Sequence, residues 1–233
     1  MSKLYIVPTP IGNMQDITLR ALEVLKSVDF VIAEDTRTAG NLLKHFGISK
    51  PLFSFHLHNE HKTVVSLAAR IRGSSAALVS DAGTPGISDP GFLLVRECLL
   101  QDIAIETLPG ATAFVPALVN SGFPCDRFYF HGFLPHKKGR MKELEQMKAS
   151  GFTSILYESP HRIMKTLEQL TEVYGSEHLI SISRELTKVF EETARGTVVS
   201  LIEHFQTHPL KGEFVIVVSP YREERTKTKR TRL

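Results

Sequence analysis

The sequence predicts an α/β protein whose sheets are mostly parallel and covered by helices. Short apolar runs such as LYIV (4–7), FVIA (30–33) and AALVS (76–80) have the length of buried strands, and amphipathic stretches separate them. Strands that alternate with helices favour parallel pairing, because each crossover helix returns the chain to the same edge of the sheet. A chain of 233 residues is long enough for one large domain or two small ones.

The first half of the chain alternates between predicted strands and helices. A helix over 17–27 follows Asp16, which we expect to be its N-cap, and carries Leu19, Leu22 and Leu25 at helical spacing. After the strand 30–33, the pattern predicts a helix that ends near Gly47, a short strand 53–55, a helix 61–72, a strand 76–80, a helix 92–100 and a strand 103–108.

A second alternation follows the stretch 111–122, which has a helical pattern although Pro116 leaves its conformation open. A domain boundary is predicted within 112–123, which gives an N-terminal domain 1–115, a C-terminal domain 116–221 and a basic tail 222–233. The second domain is predicted to contain the strand RFYFHGF, a basic helix, the strand 153–157, a helix after Pro160 and the strands 179–183 and 213–219.

Composition excludes several classes of protein. Apolar residues make up 42% and charged residues 23%, as in ordinary globular proteins, and no apolar run approaches the roughly 18 residues of a membrane span. Cys98 and Cys125 have neither metal nor redox spacing, so a reduced cytoplasmic protein is expected. The last 13 residues carry six Lys or Arg against two Glu, which is consistent with nucleic-acid contact or with a merely solvated end.

Five loops that follow predicted strands are rich in polar residues, glycine and proline. They are PTPIGNMQD (8–16), AEDTR (33–37), HLHNEH (56–61), SDAGTPGISDPG (80–91) and LPGAT (108–112). Ligands of open α/β sheets bind beyond the carboxyl ends of the strands, so these loops are the candidate binding site. Neither G-x-G-x-x-G nor a Walker phosphate loop is present.

Two of these loops and one basic segment contain residues with two alternative roles. Asp81 is predicted to bind an ammonium or hydroxyl group of a ligand, with the capping of a turn as its alternative role, whereas Asp89 is predicted to cap the following helix. His56, His58 and His61 lack accompanying metal ligands, so we expect substrate contacts or surface hydrogen bonds and no metal site. The basic segment LPHKKGRMK is consistent with binding to RNA phosphates or with a solvated first turn of a helix.

Segments along nearly the whole chain resemble the ribosomal RNA small subunit methyltransferase I family, within the tetrapyrrole methylase-like superfamily. The matching segments are IVPTPIGNMQDITLRAL, AEDTRTAGNLLKHFGI, HNEH, SDAGTPGISDPG, LPGATA, FHGFLP, YESPHR, SRELTKVFEE and KGEFVIVV. The resemblance implies a two-domain fold with a mostly parallel N-terminal sheet and a mixed C-terminal sheet. It also implies a homodimer that binds S-adenosyl-L-methionine in the cleft between domains and methylates the 2′-oxygen of a cytidine in the decoding region of 16S rRNA, with the 30S subunit as partner.

The resemblance assigns site residues by position. The cofactor-binding residues that it implies are Ile11, Gly12, Asp81, Gly83, Thr84, Thr112, Ala113, Phe114, Leu156, Tyr157, Gly212 and Glu213. Longer relatives continue beyond the equivalent of this C-terminus, so we expect RNA docking to depend on Lys137, Lys138, Arg140 and the basic tail.

The 2′-hydroxyl is a poor acid, so a base or a polarising partner would assist the transfer. Asp35 and Glu60 are the predicted catalytic residues, with His58 as an alternative, although each could instead orient RNA or make a structural hydrogen bond. Arg37 is predicted to pair with an RNA phosphate or with Asp35, and His56 is predicted to contact substrate. The alternatives to this function are methylation of a tetrapyrrole or of a diphthamide precursor, and a non-catalytic RNA-binding protein.

Overall fold

The computed structural model describes residues 2–221, so the predicted basic tail lies outside the described residues. Two compact units are present. The first contains the described residues up to Ala113 together with Leu186–Phe190, and the second contains Phe114–Glu185 and the described residues from Glu191 onward. The predicted boundary, between residues 115 and 116, lies two residues further along, and the grouping of Leu186–Phe190 with the first unit was not anticipated.

The first unit is built on a sheet of five parallel strands in the order β3-β2-β4-β1-β5. Its strands are β1 (Lys3–Ile6), β2 (Phe30–Ala33), β3 (Leu52–Ser54), β4 (Ser75–Val79) and β5 (Ala104–Thr107), and its helices are α1 (Leu19–Ser27), α2 (Thr36–His45), α3 (Glu60–Ile71) and α4 (Phe92–Leu100).

Helices cover both faces of this sheet, because successive strand residues point to opposite sides. Leu25 of α1 and Leu43 of α2 pack in one apolar cluster, whereas α3 and α4 contribute Ile71 and Cys98 to another. The connections from β1 and β2 run towards β3, and those from β3 and β4 run towards β5. The neighbouring strands β2 and β4 therefore send their connections in opposite directions, which makes the carboxyl end of this pair the topological switch point.

The second unit has a mixed five-stranded sheet in the order β6-β7-β10-β8-β9, in which β6 and β7 are parallel and the other pairs antiparallel. The elements are α5 (Phe114–Ser121), β6 (Phe128–Phe133), α6 (Arg140–Ser150), β7 (Thr153–Glu158), α7 (Ile163–Tyr174), β8 (Leu179–Arg184), β9 (Glu192–Thr197), α8 (Val198–Thr207) and β10 (Phe214–Val218). The predicted fold class is confirmed, although β9 and α8 were not predicted.

Helix ends differ from the predictions in specific ways. Thr18, not Asp16, is the N-cap of α1, and its side chain accepts the Ala21 N–H at 3.0 Å. Asp89 is not the N-cap of α4, since that position belongs to Gly91. Pro116 lies in the first turn of α5, where the N–H that proline lacks would have no helical acceptor, so the helix forms.

Within the described residues, no helix combines the length and apolar character that crossing a membrane requires.

Candidate functional site

Three loops at the carboxyl edge of the first sheet are tied together by hydrogen bonds. Thr9, after β1, and Gly83, after β4, exchange two backbone hydrogen bonds of 2.9 Å. The Thr9 hydroxyl also donates to the Ser80 carbonyl at 3.1 Å, and the Thr84 hydroxyl donates to the Ala111 carbonyl at 3.0 Å. The loops that follow β4, β1 and β5 therefore form one connected surface.

Gly83 is required by this arrangement. Its φ of +80° lies in the left-handed region that favours glycine, and a Cβ would lie 3.4 Å from Ile11 and 3.6 Å from the Ala111 carbonyl oxygen. The conformation brings the β4 loop against the β1 loop, so the predicted residues Ile11, Gly83 and Thr84 are neighbours.

A cavity of about 280 Å³ opens beside these loops. Predicted residues Ile11, Gly12 and Asp81 line it, and part of its wall comes from residues of α2 that were not among the predicted site residues. The remaining lining residues are Thr9, Pro10, Met14, Thr38, Ala39, Asn41, Leu42, Ser80 and Ala82. Thr112 and Ala113 follow Ala111 on the adjoining loop and are half-buried.

Acidic residues meet at the switch point between β2 and β4. The Asp35 N–H donates to Oδ1 of Asp81 at 3.1 Å. Burial raises the pKa of Glu34, and the charge of Asp81 raises it further, although a hydrogen bond from the Asp81 backbone opposes the shift. Glu34 was not among the predicted site residues, since half-burial beside a second carboxylate is visible only in the fold.

Asp35 is engaged in two local roles. It is the N-cap of α2 and accepts the Arg37 N–H at 2.8 Å. Its carboxylate also receives the Arg37 guanidinium, with Nη2 2.6 Å from Oδ2 and Nε 3.1 Å from Oδ1. These side-chain hydrogen bonds, followed by the backbone bond, lower the pKa of Asp35 to about 2. Of the two partners predicted for Arg37, the structure shows Asp35.

The histidine-rich loop after β3 is a turn closed by Asn59. Its side-chain oxygen accepts the His56 N–H at 2.8 Å, and Nδ1 of His56 accepts the His58 N–H at 3.2 Å. Glu60 is the first residue of α3, and its N–H donates to the His56 carbonyl at 2.9 Å. Among the residues that the structure describes, no group of three His, Cys, Asp or Glu side chains is placed to hold a metal ion.

The segment Leu186–Phe190 packs on the β1 loop of the first unit. The Asn13 N–H donates to the Thr187 hydroxyl at 3.1 Å. A Cβ at Gly12 would collide with the side chain of Lys188 and would lie 2.8 Å from the Thr187 hydroxyl. Gly12 is thus a close-approach glycine at the cavity wall.

The predicted cofactor residues of the second unit lie on and around its sheet. Phe114 packs against Phe130, with ring centroids 4.8 Å apart, and Tyr157 meets Phe130 edge-to-face at 5.1 Å. Leu156 points into the core cluster, so only its backbone could meet a ligand. Gly212 has a φ of +86° and packs on the Glu185 side chain, which accepts the N–H of Glu213 at 3.3 Å.

The three predicted RNA-binding residues of the basic segment have different environments. Lys137 and Lys138 are exposed. The Arg140 side chain is only 4% exposed and donates to Glu158 at 2.9 Å and to Gln169 at 2.7 Å. A guanidinium enclosed in this way has no face for a phosphate, so the burial disagrees with an RNA contact for Arg140 and gives it a structural role.

Comparison with known proteins defines the class to which this fold and site belong. The sequence profile of the tetrapyrrole (corrin/porphyrin) methylases matches residues 3–202. A solved diphthine synthase superimposes with a TM-score of 0.73 at 15% identity, covering 94% of this chain and 90% of that one. Uroporphyrin-III-C-methyltransferase from Thermus thermophilus superimposes with a TM-score of 0.64 at 20% identity, covering 95% and 96%. At these identities the structures support the fold alone.

Sequence relatives narrow the class to a particular family. Ribosomal RNA small subunit methyltransferase I of Haemophilus influenzae is 50% identical over 92% of this chain and 77% of its own length. The protein of the same name from Escherichia coli O157:H7 is 46% identical over 95% and 79%. The chain belongs to the ribosomal RNA small subunit methyltransferase I family, which confirms the resemblance.

Membership makes the chain an S-adenosylmethionine-dependent methyltransferase, as predicted. The residues present fit such a cofactor, because the edge of the first sheet combines a cavity, the carboxylate of Asp81 and rigid loops held by Thr9 and Gly83. A carboxylate can accept hydrogen bonds from the hydroxyl or ammonium groups of this cofactor.

Proposed function

We propose that this protein transfers the methyl group of S-adenosylmethionine to the 2′-oxygen of a cytidine in the decoding region of 16S rRNA. The observation that carries the proposal is the 46–50% identity over more than nine tenths of the chain to relatives named for small-subunit rRNA methylation. The 30S subunit is the proposed partner, and a homodimer is the proposed assembly.

The cofactor loops are proposed to act mainly by alignment. The sulfonium methyl is already activated, so holding donor and acceptor in line supplies much of the rate. Ile11, Gly12 and Asp81 line one cavity, and Gly83 and Thr84 are fixed by the hydrogen bonds between loops. A surface tied at three points loses little entropy when a ligand binds.

The acidic residues of the candidate site are proposed to have different roles. A carboxylate whose pKa is about 2 is a weak proton acceptor at neutral pH, so Asp35 is proposed to position the start of α2 and Arg37. Glu34, with its raised pKa, is proposed to hold the β4 loop through the backbone of Asp81. Glu60, with His58 as the alternative, remains the proposed base or polarising partner for the 2′-hydroxyl.

The proposed reaction is tested by offering radiolabelled S-adenosylmethionine with 30S subunits, naked 16S rRNA and a porphyrinogen in parallel. We expect label in the rRNA, followed by mapping to a single 2′-O-methylated cytidine. Label on the porphyrinogen alone would overturn the proposal in favour of tetrapyrrole methylation. Cofactor binding without transfer to any of these acceptors would contradict it as well.

A further inference from the structure

Two neighbouring apolar side chains are exposed on the surface of the single chain, on the segment between β8 and β9. Val189 is 92% exposed and Phe190 is 73% exposed. Single exposed apolar residues are common on protein surfaces and do not by themselves indicate a binding site. What distinguishes this pair is how firmly the backbone beneath it is held.

The base of the segment is closed by charged groups. Arg184 and Glu192 form the last register pair of β8 and β9, and Nε of Arg184 lies 2.5 Å from Oε2 of Glu192. Nε2 of His204, on α8, lies 2.6 Å from the other carboxylate oxygen. The seven residues between this pair are therefore a loop with fixed ends.

The middle of the loop is fixed as well. Leu186 is buried, and the Thr187 hydroxyl accepts the N–H of Asn13. Glu185 has a φ of +49° and Thr187 a φ of +66°, and the second value is costly for a β-branched residue. Strained conformations persist only where the surrounding contacts determine them, so the segment Leu186–Phe190 is held in one conformation on the first unit.

The pair also lies close to the candidate site along the chain. Thr187 and Lys188 approach Gly12, and Gly12 lines the 280 Å³ cavity. Val189 and Phe190 are the next two residues. The backbone that packs against Gly12 at the cavity wall is therefore followed directly by two exposed side chains, one of which is aromatic.

We propose that Val189 and Phe190 form a platform on which an unpaired base of the RNA substrate stacks. The inference rests on the proposed function and names residues of this chain that hold its substrate. Unpaired bases are commonly recognised by stacking on aromatic side chains, which requires an exposed ring on a fixed backbone. Two side chains are far too small for a stable protein interface, which buries about 800 Å² on each partner.

The test compares Phe190→Ala with Phe190→Trp, which keeps a stacking surface. Removal of one base–aromatic stack should raise the KM for 30S subunits about 5- to 150-fold. We expect Phe190→Trp to stay within about threefold of the unmodified protein by the same reasoning. Affinity for S-adenosylmethionine, measured by calorimetry, should be unchanged in both variants.

Phe92→Ala is the matched control, because Phe92 is 65% exposed at the start of α4 and is not part of the loop. It should leave the KM for RNA unchanged. An unchanged KM in Phe190→Ala would overturn the proposal, and so would equal losses in the Ala and Trp variants. A change of molecular mass by light scattering in Phe190→Ala would assign the pair to self-association instead.

A separate binding measurement distinguishes failure of this inference from failure of the proposed function. Fluorescence anisotropy with a single-stranded oligonucleotide of the decoding region does not require methyl transfer. Weaker binding by Phe190→Ala than by Phe190→Trp supports the platform even if no methyl group reaches RNA. Equal binding by both variants, with methyl transfer intact in the unmodified protein, refutes the platform alone.

Discussion

Gly12→Ala tests whether the β1 loop and the segment Leu186–Phe190 must approach as closely as the structure shows. The added Cβ would lie 2.8 Å from the Thr187 hydroxyl and 3.1 Å from the Leu186 carbonyl oxygen, in addition to its collision with Lys188. The lysine side chain can move, but the carbonyl cannot move without its backbone. Overpacking of this kind costs about 1–3 kcal/mol. For a protein of this size we expect the melting temperature to fall by about 2–12 °C.

Gly40→Ala is the matched control. Gly40 lies inside α2, and its nearest new contact would be Leu52 at 3.6 Å, an ordinary van der Waals distance. Alanine is favoured over glycine in a helix by about 0.5–1 kcal/mol, so this variant should melt about 1–4 °C higher. Calorimetric melting and titration with S-adenosylmethionine follow both variants. A Gly12→Ala protein with unchanged melting temperature and cofactor affinity would refute the close approach.

Three further predictions concern charge. Because the pKa of Glu34 is raised, its carboxyl group ionises less readily in the folded state than in the unfolded state. The stability of the fold therefore falls as the pH rises from about 4.5 through the folded pKa. Glu34→Gln should melt at a higher temperature than the unmodified protein at pH 7 and at the same temperature at pH 4. Asp35→Asn keeps an N-cap acceptor, so it should melt higher than Asp35→Ala and retain methyl transfer; loss of transfer in a folded Asn variant would show that the reaction requires the Asp35 carboxylate itself. Replacing Lys137 and Lys138 by alanine should reduce the slope of log binding constant against log salt by about 1.4–1.8, and an unchanged slope would remove both from the RNA surface.

The sequence predicted secondary structure best where burial imposed a clear pattern of apolar residues. Apolar runs such as 30–33 and 76–80 are buried on both faces of a parallel sheet, so strand length and composition agreed with the structure. The strand Glu192–Thr197 was missed because its residues ETARGT are mostly polar and lie at the sheet edge, where burial imposes little pattern. The helix Val198–Thr207 begins with the apolar run VVSLI, whose periodicity cannot distinguish a strand from a buried helix.

The prediction of site residues was limited by contacts between residues that are distant in the sequence. The strand-end loops indicated Asp81, and the family resemblance indicated Ile11 and Gly12; the fold brings all three to one cavity. No local signal separates Arg140 from its exposed neighbour Lys138, because its burial depends on Glu158, 18 residues further along the chain. Glu34 likewise gains its raised pKa from Asp81, which approaches only when β2 and β4 pair.

The buried charges of the second unit have a consequence for how this sequence can vary. Oε2 of Glu158 accepts Arg140 at 2.9 Å, and its Oε1 lies 2.7 Å from Nε of Arg162, so α6 and α7 are both pinned to the end of β7. Removing one partner of a buried pair costs about 3–5 kcal/mol, which exceeds what most single changes can compensate. We therefore expect homologues either to keep all three residues or to replace them together during evolution. A homologue that changes only one of the three is expected to fold this region differently.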